Sequence, residues 1–401
     1  MSFSVIFEVI LLSGWLGSRL AGRLGLPQVL GMLGAGILLG LVLEQRVPPV
    51  LAGIEPFLKS FALLVILLRA GLGINRKILK QTGISALLMA ALPCLAKGVT
   101  LYFVFQLIFN FPPAVAGMSA FMLSAVSPAV IVPSMLNLKE LGYGANKQVP
   151  TIVLAGASLD DVFAITLFSV FLRIHQGGGQ LATSDLLHIP GSIVMGTLLG
   201  LVFGFFLVWF FRKVKRIRAT EKVIVLIGLC LVMIEIGDYY QIASFLGAMT
   251  IGYVLFEKEN KIAKEVSGKL TKIWIFAEIV LFVLIGVGLH PAHLKEVGWK
   301  GLLVIVLGLL ARSVGVMLAT IFSRLNRREK LFCVIAYLPK ATVQAALGSV
   351  PLAMGVTEGG AILAMAVMSI FISAPLGVIL IKYFGPQLLA RHHPSKALSR
   401  A

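Results

Sequence analysis

Two carboxylates, Asp160 and Asp161, stand side by side in the middle of "VLAGASLDDVFAITLFSVFL" (Val153–Leu172), where every other residue is apolar or small. A single carboxylate at the centre of a bilayer costs about 2.5–3.5 kcal/mol on insertion scales and more by other estimates, so a pair there calls for a function. Successive helical residues point about 100° apart, so both can border one cavity while reaching different partners. Neighbouring carboxylates in a low-dielectric site resist double ionisation, and such a pair takes up protons or yields them to a cation that supplies the compensating charge. Hard carboxylate oxygens suit small cations such as Na+ or Li+, and protons compete for the same lone pairs.

Three basic residues also fall inside apolar runs: Lys97, Arg312 and Lys340. Arg312 is a fixed positive charge, because a guanidinium does not deprotonate usefully, and it calls for a carboxylate partner. Lys340 lies in "AYLPKATVQAALG" (Ala336–Gly348) beside Pro339, where an ammonium offsets the negative end of the half-helix that precedes it. Lys97 is expected nearer to water. Arg69 and Glu278 are deep enough to need structural ion-pair partners, whereas Glu8 and Glu235 lie towards helix ends, where interfacial solvation suffices. All six histidines, His175, His188, His290, His293, His392 and His393, fall in expected loops or the tail. No Walker loop, redox motif or spaced Cys and His cluster is present, so no cofactor, resident metal or enzymatic reaction is expected.

These residues need elements that carry them through a membrane. Of the 401 residues 58% are hydrophobic and only 13% charged, too little polar surface to clothe a soluble globule. Thirteen apolar runs recur, at 3–18, 27–43, 57–73, 83–109, 113–136, 148–173, 189–212, 222–238, 241–256, 271–289, 300–323, 330–353 and 360–383. Their lengths suit helices that cross a bilayer, and a closed barrel would show short alternating segments instead. The expected fold is an all-α polytopic membrane protein of about thirteen transmembrane helices. The first run lacks the basic start of a signal peptide and reads as a retained helix.

Most of the 35 Lys and Arg fall in the loops after odd-numbered runs and in the tail. By the positive-inside rule the N-terminus is outside and the C-terminus cytoplasmic, with the cell inner membrane as the expected location. The formal charge of +18 sits in short clusters such as "RKVKRIR" (Arg212–Arg218), which topology and anionic lipid explain without nucleic acid. Cys94, Cys230 and Cys333 read as small core residues.

The fifth run contains "SAVSPAVIVP" (Ser124–Pro133), whose prolines predict a kink or unwinding near Ser127; that hydroxyl joins Asp161 and Asp160 as a candidate ligand for Na+ or Li+. Pro339 interrupts the twelfth run at a matching place, and the separation of Pro128 from Pro339 nearly equals that of Lys97 from Arg312. Runs four to six and eleven to thirteen therefore read as repeats of opposite orientation. That is the inverted-repeat plan in which broken helices meet near the midplane and form a transport site. The glycines of "GMLGAGILLG" (Gly31, Gly34, Gly36, Gly40) suit close helix packing.

"LPQVLGMLGAGILLG", "LLRAGLGI", "AVSPAVIVP", "GASLDDVFAI" and "LPKATVQAALG", in this order between Leu26 and Leu380, together resemble the cation/proton antiporter superfamily, in particular its two-aspartate sodium/proton antiporter branch. The resemblance implies a homodimer, each protomer with a core part (83–173 and 300–383) that moves like an elevator against a dimerisation part (1–73 and 189–289), followed by a tail (384–401). It makes Asp161 the residue that binds cation and proton, Asp160 its neighbour, Arg312 the basic position of the eleventh helix and Lys340 a basic residue of the second broken helix. Animal relatives carry an acidic residue on the fourth helix near the place of Lys97, which opens Asp160 as the partner of Arg312. Two protons per Na+ follow if both aspartates titrate, one if Asp160 stays ion-paired. Competing readings are K+/H+ exchange on the same fold, a Na+-coupled organic-solute symporter on a related one, and a passive channel or membrane scaffold.

Overall fold

The computed structural model describes residues 3–42, 49–73, 84–178, 183–214, 216–240 and 242–391. The tail from residue 392 on, with His392 and His393, lies outside the described residues, as does the side chain of His188. Among the described residues there are sixteen helices and no strand, and eight of the helices are long and apolar enough to cross a membrane.

The chain opens with α1 (Phe3–Arg23), α2 (Gln28–Val42), α3 (Pro49–Gly73) and α4 (Ile84–Phe109). Then the fifth apolar run is split into α5 (Pro113–Ser124) and α6 (Pro128–Glu140). Pro128 begins α6, disfavours helical backbone at the residue before it and cannot donate an N–H, so Ser127 is extended at φ −96° and ψ 107°. Pro133, the second proline of this run, lies inside α6 without ending it. The aspartate-bearing α7 (Val149–Gln176) follows, then α8 (Thr183–Lys213), α9 (Ala219–Tyr239), α10 (Ser244–Lys258), α11 (Asn260–Val287) and α12 (Pro291–Ala319). The twelfth run is broken at Tyr337–Ala341 into α13 (Arg327–Ala336) and α14 (Thr342–Gly348), and after the short α15 (Val350–Ala353) the chain ends in α16 (Gly359–Leu388).

Several helices outrun their apolar stretches, so His175, His188 and His293 are helical where loops were expected. A helix continues into the polar interfacial layer because water and headgroups satisfy its last backbone groups there. Hydropathy marks only the hydrocarbon-matched portion.

Packing sorts the helices into two groups. In one, α4 lies against α5, α7 and α12, and α16 lies against α12, α13 and α14. In the other, α2 packs on α1 and α11, α3 on α10 and α11, and α8 on α10. The principal contacts between the groups are α14 against α3 and α11, and α7 against α8. The glycine motif of α2 serves the second group: a Cβ on Gly31 would collide with the Gly17 carbonyl of α1, and one on Gly36 with the Val283 carbonyl of α11, whereas Gly34 faces open space. Such contacts bring backbones together where burial of apolar surface gives no drive towards association.

Candidate functional site

The two helix breaks meet. The Ser127 N–H donates to the Pro339 carbonyl at 3.0 Å, and the Ser127 and Thr342 hydroxyls lie 3.4 Å apart. Each break leaves a helix end whose last carbonyls lack intrahelical donors and carry partial negative charge. At the end of α5 those carbonyls receive three side chains. Lys340 Nζ donates to Ser124 O at 2.9 Å and also to Ala125 O, Arg312 donates to Ser124 O through Nη1, and Gln344 Nε2 donates to Met122 O at 3.1 Å and Ala125 O at 2.9 Å.

This corrects the sequence reading of Lys340. Its ammonium offsets the negative end of α5, in the other broken helix, and not that of α13, which precedes it in the chain. The α13 end is served by Arg312, whose Nε donates to Tyr337 O at 3.0 Å and whose guanidinium lies 5.1 Å from the Tyr337 ring centroid. Gln344 was missed as a site residue. Its only sequence signal is a polar side chain one helical turn beyond Lys340 in an otherwise apolar stretch.

Asp160 and Asp161 face different surroundings, as neighbouring positions on a helix must. Asp160 is fully buried and both its oxygens are engaged: Oδ1 pairs with Arg312 Nη2 at 2.8 Å, and Oδ2 accepts from the Val126 N–H at 2.7 Å. Asp161 is buried too, yet its Oδ1 has no hydrogen-bond partner among the described residues. It borders a cavity of about 730 Å³ that also reaches Pro133 and Ser134 of α6, Arg69 of α3, and Trp274 and Glu278 of α11. The cavity extends to the α1–α2 turn at Gly25–Pro27 and to Gly73 at the end of α3.

The other expected site residues are placed less directly. Ser127 is buried with its hydroxyl beside Thr342 and is not among the residues lining this cavity. Lys97 is 1% exposed, which corrects the expectation that it sits near water; its aliphatic stem fills the notch at Gly308, one turn before Arg312 on α12. A glycine facing a long side chain admits it without collision, so Lys97 stays inside the bundle. Arg69 and Glu278, expected to need ion-pair partners, share the Asp161 cavity and flank one indole. Arg69 Cζ lies 5.8 Å from the Trp274 ring centroid, and Glu278 stands one turn beyond Trp274 on α11. The three cysteines are free and buried.

Chemically, one carboxylate is pinned by a guanidinium and a backbone N–H, while its neighbour borders a cavity and has a buried oxygen without a partner. A carboxylate so placed can take a proton or a small dehydrated cation, one at a time.

Comparison with known proteins identifies the family and the fold. Residues 8–384 match the family model described as "Sodium/hydrogen exchanger, transmembrane". Sodium/hydrogen exchanger 9B2 of Homo sapiens is 32% identical over 418 residues, covering 98% of this chain and 76% of the relative. Sodium/hydrogen exchanger 9B1 of Macaca fascicularis is 32% identical over 392 residues, covering 92% and 75%. The solved structure of the sodium proton antiporter MjNhaP1 from Methanocaldococcus jannaschii at pH 8 superposes with a TM-score of 0.76 at 21% identity, covering 95% of this chain and 96% of that one.

Proposed function

Since the chain belongs to the transmembrane sodium/hydrogen exchanger family, we propose that it is a multi-pass secondary antiporter in which Na+ or Li+ and H+ compete for Asp161. The observation that carries this reading is the asymmetry of the pair: Asp160 has both oxygens engaged, whereas Asp161 has a buried oxygen without a partner and borders a cavity. Asp160 then keeps its charge throughout the cycle, neutralised by Arg312, and acts on the cation from behind its neighbour. One proton is exchanged per Na+. Ser127 supports the site through its bonds to the second break and does not ligand the cation from this cavity.

Transport follows an elevator course across thirteen spans arranged as inverted repeats. The group that carries α5, α6, α7, α12, α13 and α14 moves against the group built on α1, α2, α3, α10 and α11. Sparse contact between the groups and dense contact within each support this. Coupling is obligatory because an ionised Asp161 without a cation or proton is too costly to carry through the hydrocarbon layer. With the N-terminus outside, the α1–α2 turn and the end of α3 are cytoplasmic, so the cavity makes this the inward-facing state. The glycine-packed second group supplies the dimer contact of a homodimer in the cell membrane, and the basic cytoplasmic loops meet anionic lipid.

The test is proton flux in proteoliposomes with a trapped pH dye, adding Na+, Li+ or K+ in turn. Na+ and Li+ release internal quenching in the wild type and fail to do so in folded Asp161→Asn. Retained Na+-driven proton flux in that variant overturns the assignment, and flux driven by K+ alone replaces the cargo.

A further inference from the structure

We propose that Glu278 is a positioning residue that holds Arg69 against the wall of the cavity and so keeps that guanidinium from occupying Asp161 in place of the transported cation. The proposal rests on the exchange reading above. Arg69 belongs to α3 and Glu278 to α11, both in the group that does not carry the aspartates, yet both border the cavity that ends at Asp161. A permanently charged, five-donor group in a cation's entry route presents a difficulty. It matches a carboxylate bidentately, and as part of the same chain it competes with Na+ at a high effective concentration.

The surroundings of Arg69 show how it is restrained. The guanidinium lies over the Trp274 ring, and Glu278, one turn further along α11, borders the same cavity with its opposite charge. Arg69, Trp274 and Glu278 line the cavity together, and the two charges make no direct ion pair among the described residues. Glu278 thus balances the vestibule charge and leaves Asp161 as its open acceptor. When the aspartate-bearing group slides past α3 and α11, the same restraint keeps Arg69 from serving as a counter-ion for an empty carrier.

The experiment measures initial Na+-driven proton flux against Na+ concentration in proteoliposomes of wild type, Glu278→Gln, Arg69→Gln and the double variant. If a released Arg69 occupies Asp161 nine-tenths of the time, the apparent Na+ affinity of Glu278→Gln falls about tenfold. Its maximal rate is retained, because saturating Na+ displaces an intramolecular competitor. The second substitution, Arg69→Gln, returns the KM to near the wild-type value, and Arg69→Gln alone does not raise it. Were Glu278 simply a tie between α3 and α11, neither rescue nor this split of KM from maximal rate would appear.

An unchanged KM in Glu278→Gln, or a raised KM that persists in the double variant, overturns the proposal. So does a raised KM in Arg69→Gln, which can be read even if Glu278→Gln fails to fold. A wild-type protein without Na+-dependent proton flux removes the exchange reading itself, and the proposal with it.

Discussion

Arg312→Met removes the cation that neutralises Asp160, at a place where water cannot replace it. Asp160 is 0% and Arg312 1% exposed, so the orphaned carboxylate keeps only the Val126 N–H. Breaking a buried ion pair from one side costs about 3–5 kcal/mol, because the remaining charge is left uncompensated. The hydrogen bonds to carbonyls matter less: Lys340 still serves Ser124 O, and the lost bond to Tyr337 O is worth about 0.6 kcal/mol on the membrane-protein average. Asp160→Asn is milder, since the guanidinium keeps both carbonyls and an amide oxygen can still accept from Val126. Arg312→Met combined with Asp160→Asn leaves no unpaired charge and is more stable than Arg312→Met alone. The assay is thermal unfolding of the purified protein in one detergent, followed by tryptophan fluorescence. At this chain length a kcal/mol corresponds to about 1–2 °C, so Arg312→Met lowers the midpoint by roughly 3–10 °C and Asp160→Asn restores at least half of the loss. An unchanged midpoint in Arg312→Met, or single losses that simply add in the double variant, would show that the pair does not neutralise itself.

On the proposed cycle, in which Asp160 stays paired, exchange moves no net charge, and the Na+ gradient that balances a fixed pH gradient is the same with the membrane potential at zero or clamped at 100 mV. Two protons per Na+ would instead shift that balance about 50-fold, the equivalent of about 2.3 kcal/mol at about 1.36 kcal/mol per decade. One carboxylate shared by two cargoes also predicts direct competition. Acidifying the Na+ side raises the apparent KM for Na+ in proportion to proton concentration at constant maximal rate, and a falling maximal rate at constant KM refutes a shared site. Finally, Gly31→Ala drives a methyl group into the Gly17 carbonyl and costs about 1–3 kcal/mol as overpacking, seen as a lower unfolding midpoint. Gly34→Ala, which meets nothing within 4 Å, is the control; equal effects would show that the α1–α2 contact is not as close as described.

Much was legible in the sequence because insertion into a bilayer imposes strong local rules. Apolar length marks the helices, proline next to a polar residue marks the breaks, and a carboxylate pair in an apolar run stands out because water is absent there. Asp160, Asp161, Arg312 and Lys340 were therefore identifiable as residues with partners to find. What those partners are depended on which helices face each other, a non-local property. Tertiary packing gave Lys340 to the carbonyls of α5 and not to its own preceding half-helix, drew Gln344 into the same cluster and shut Lys97 into the notch at Gly308. It also divided two adjacent aspartates into one with both oxygens engaged and one with a buried oxygen left unpartnered, and set Arg69, Trp274 and Glu278 on the same cavity. Residue type determines that a buried charge must be compensated, whereas only the three-dimensional arrangement decides which group compensates it and which carboxylate is left without a partner.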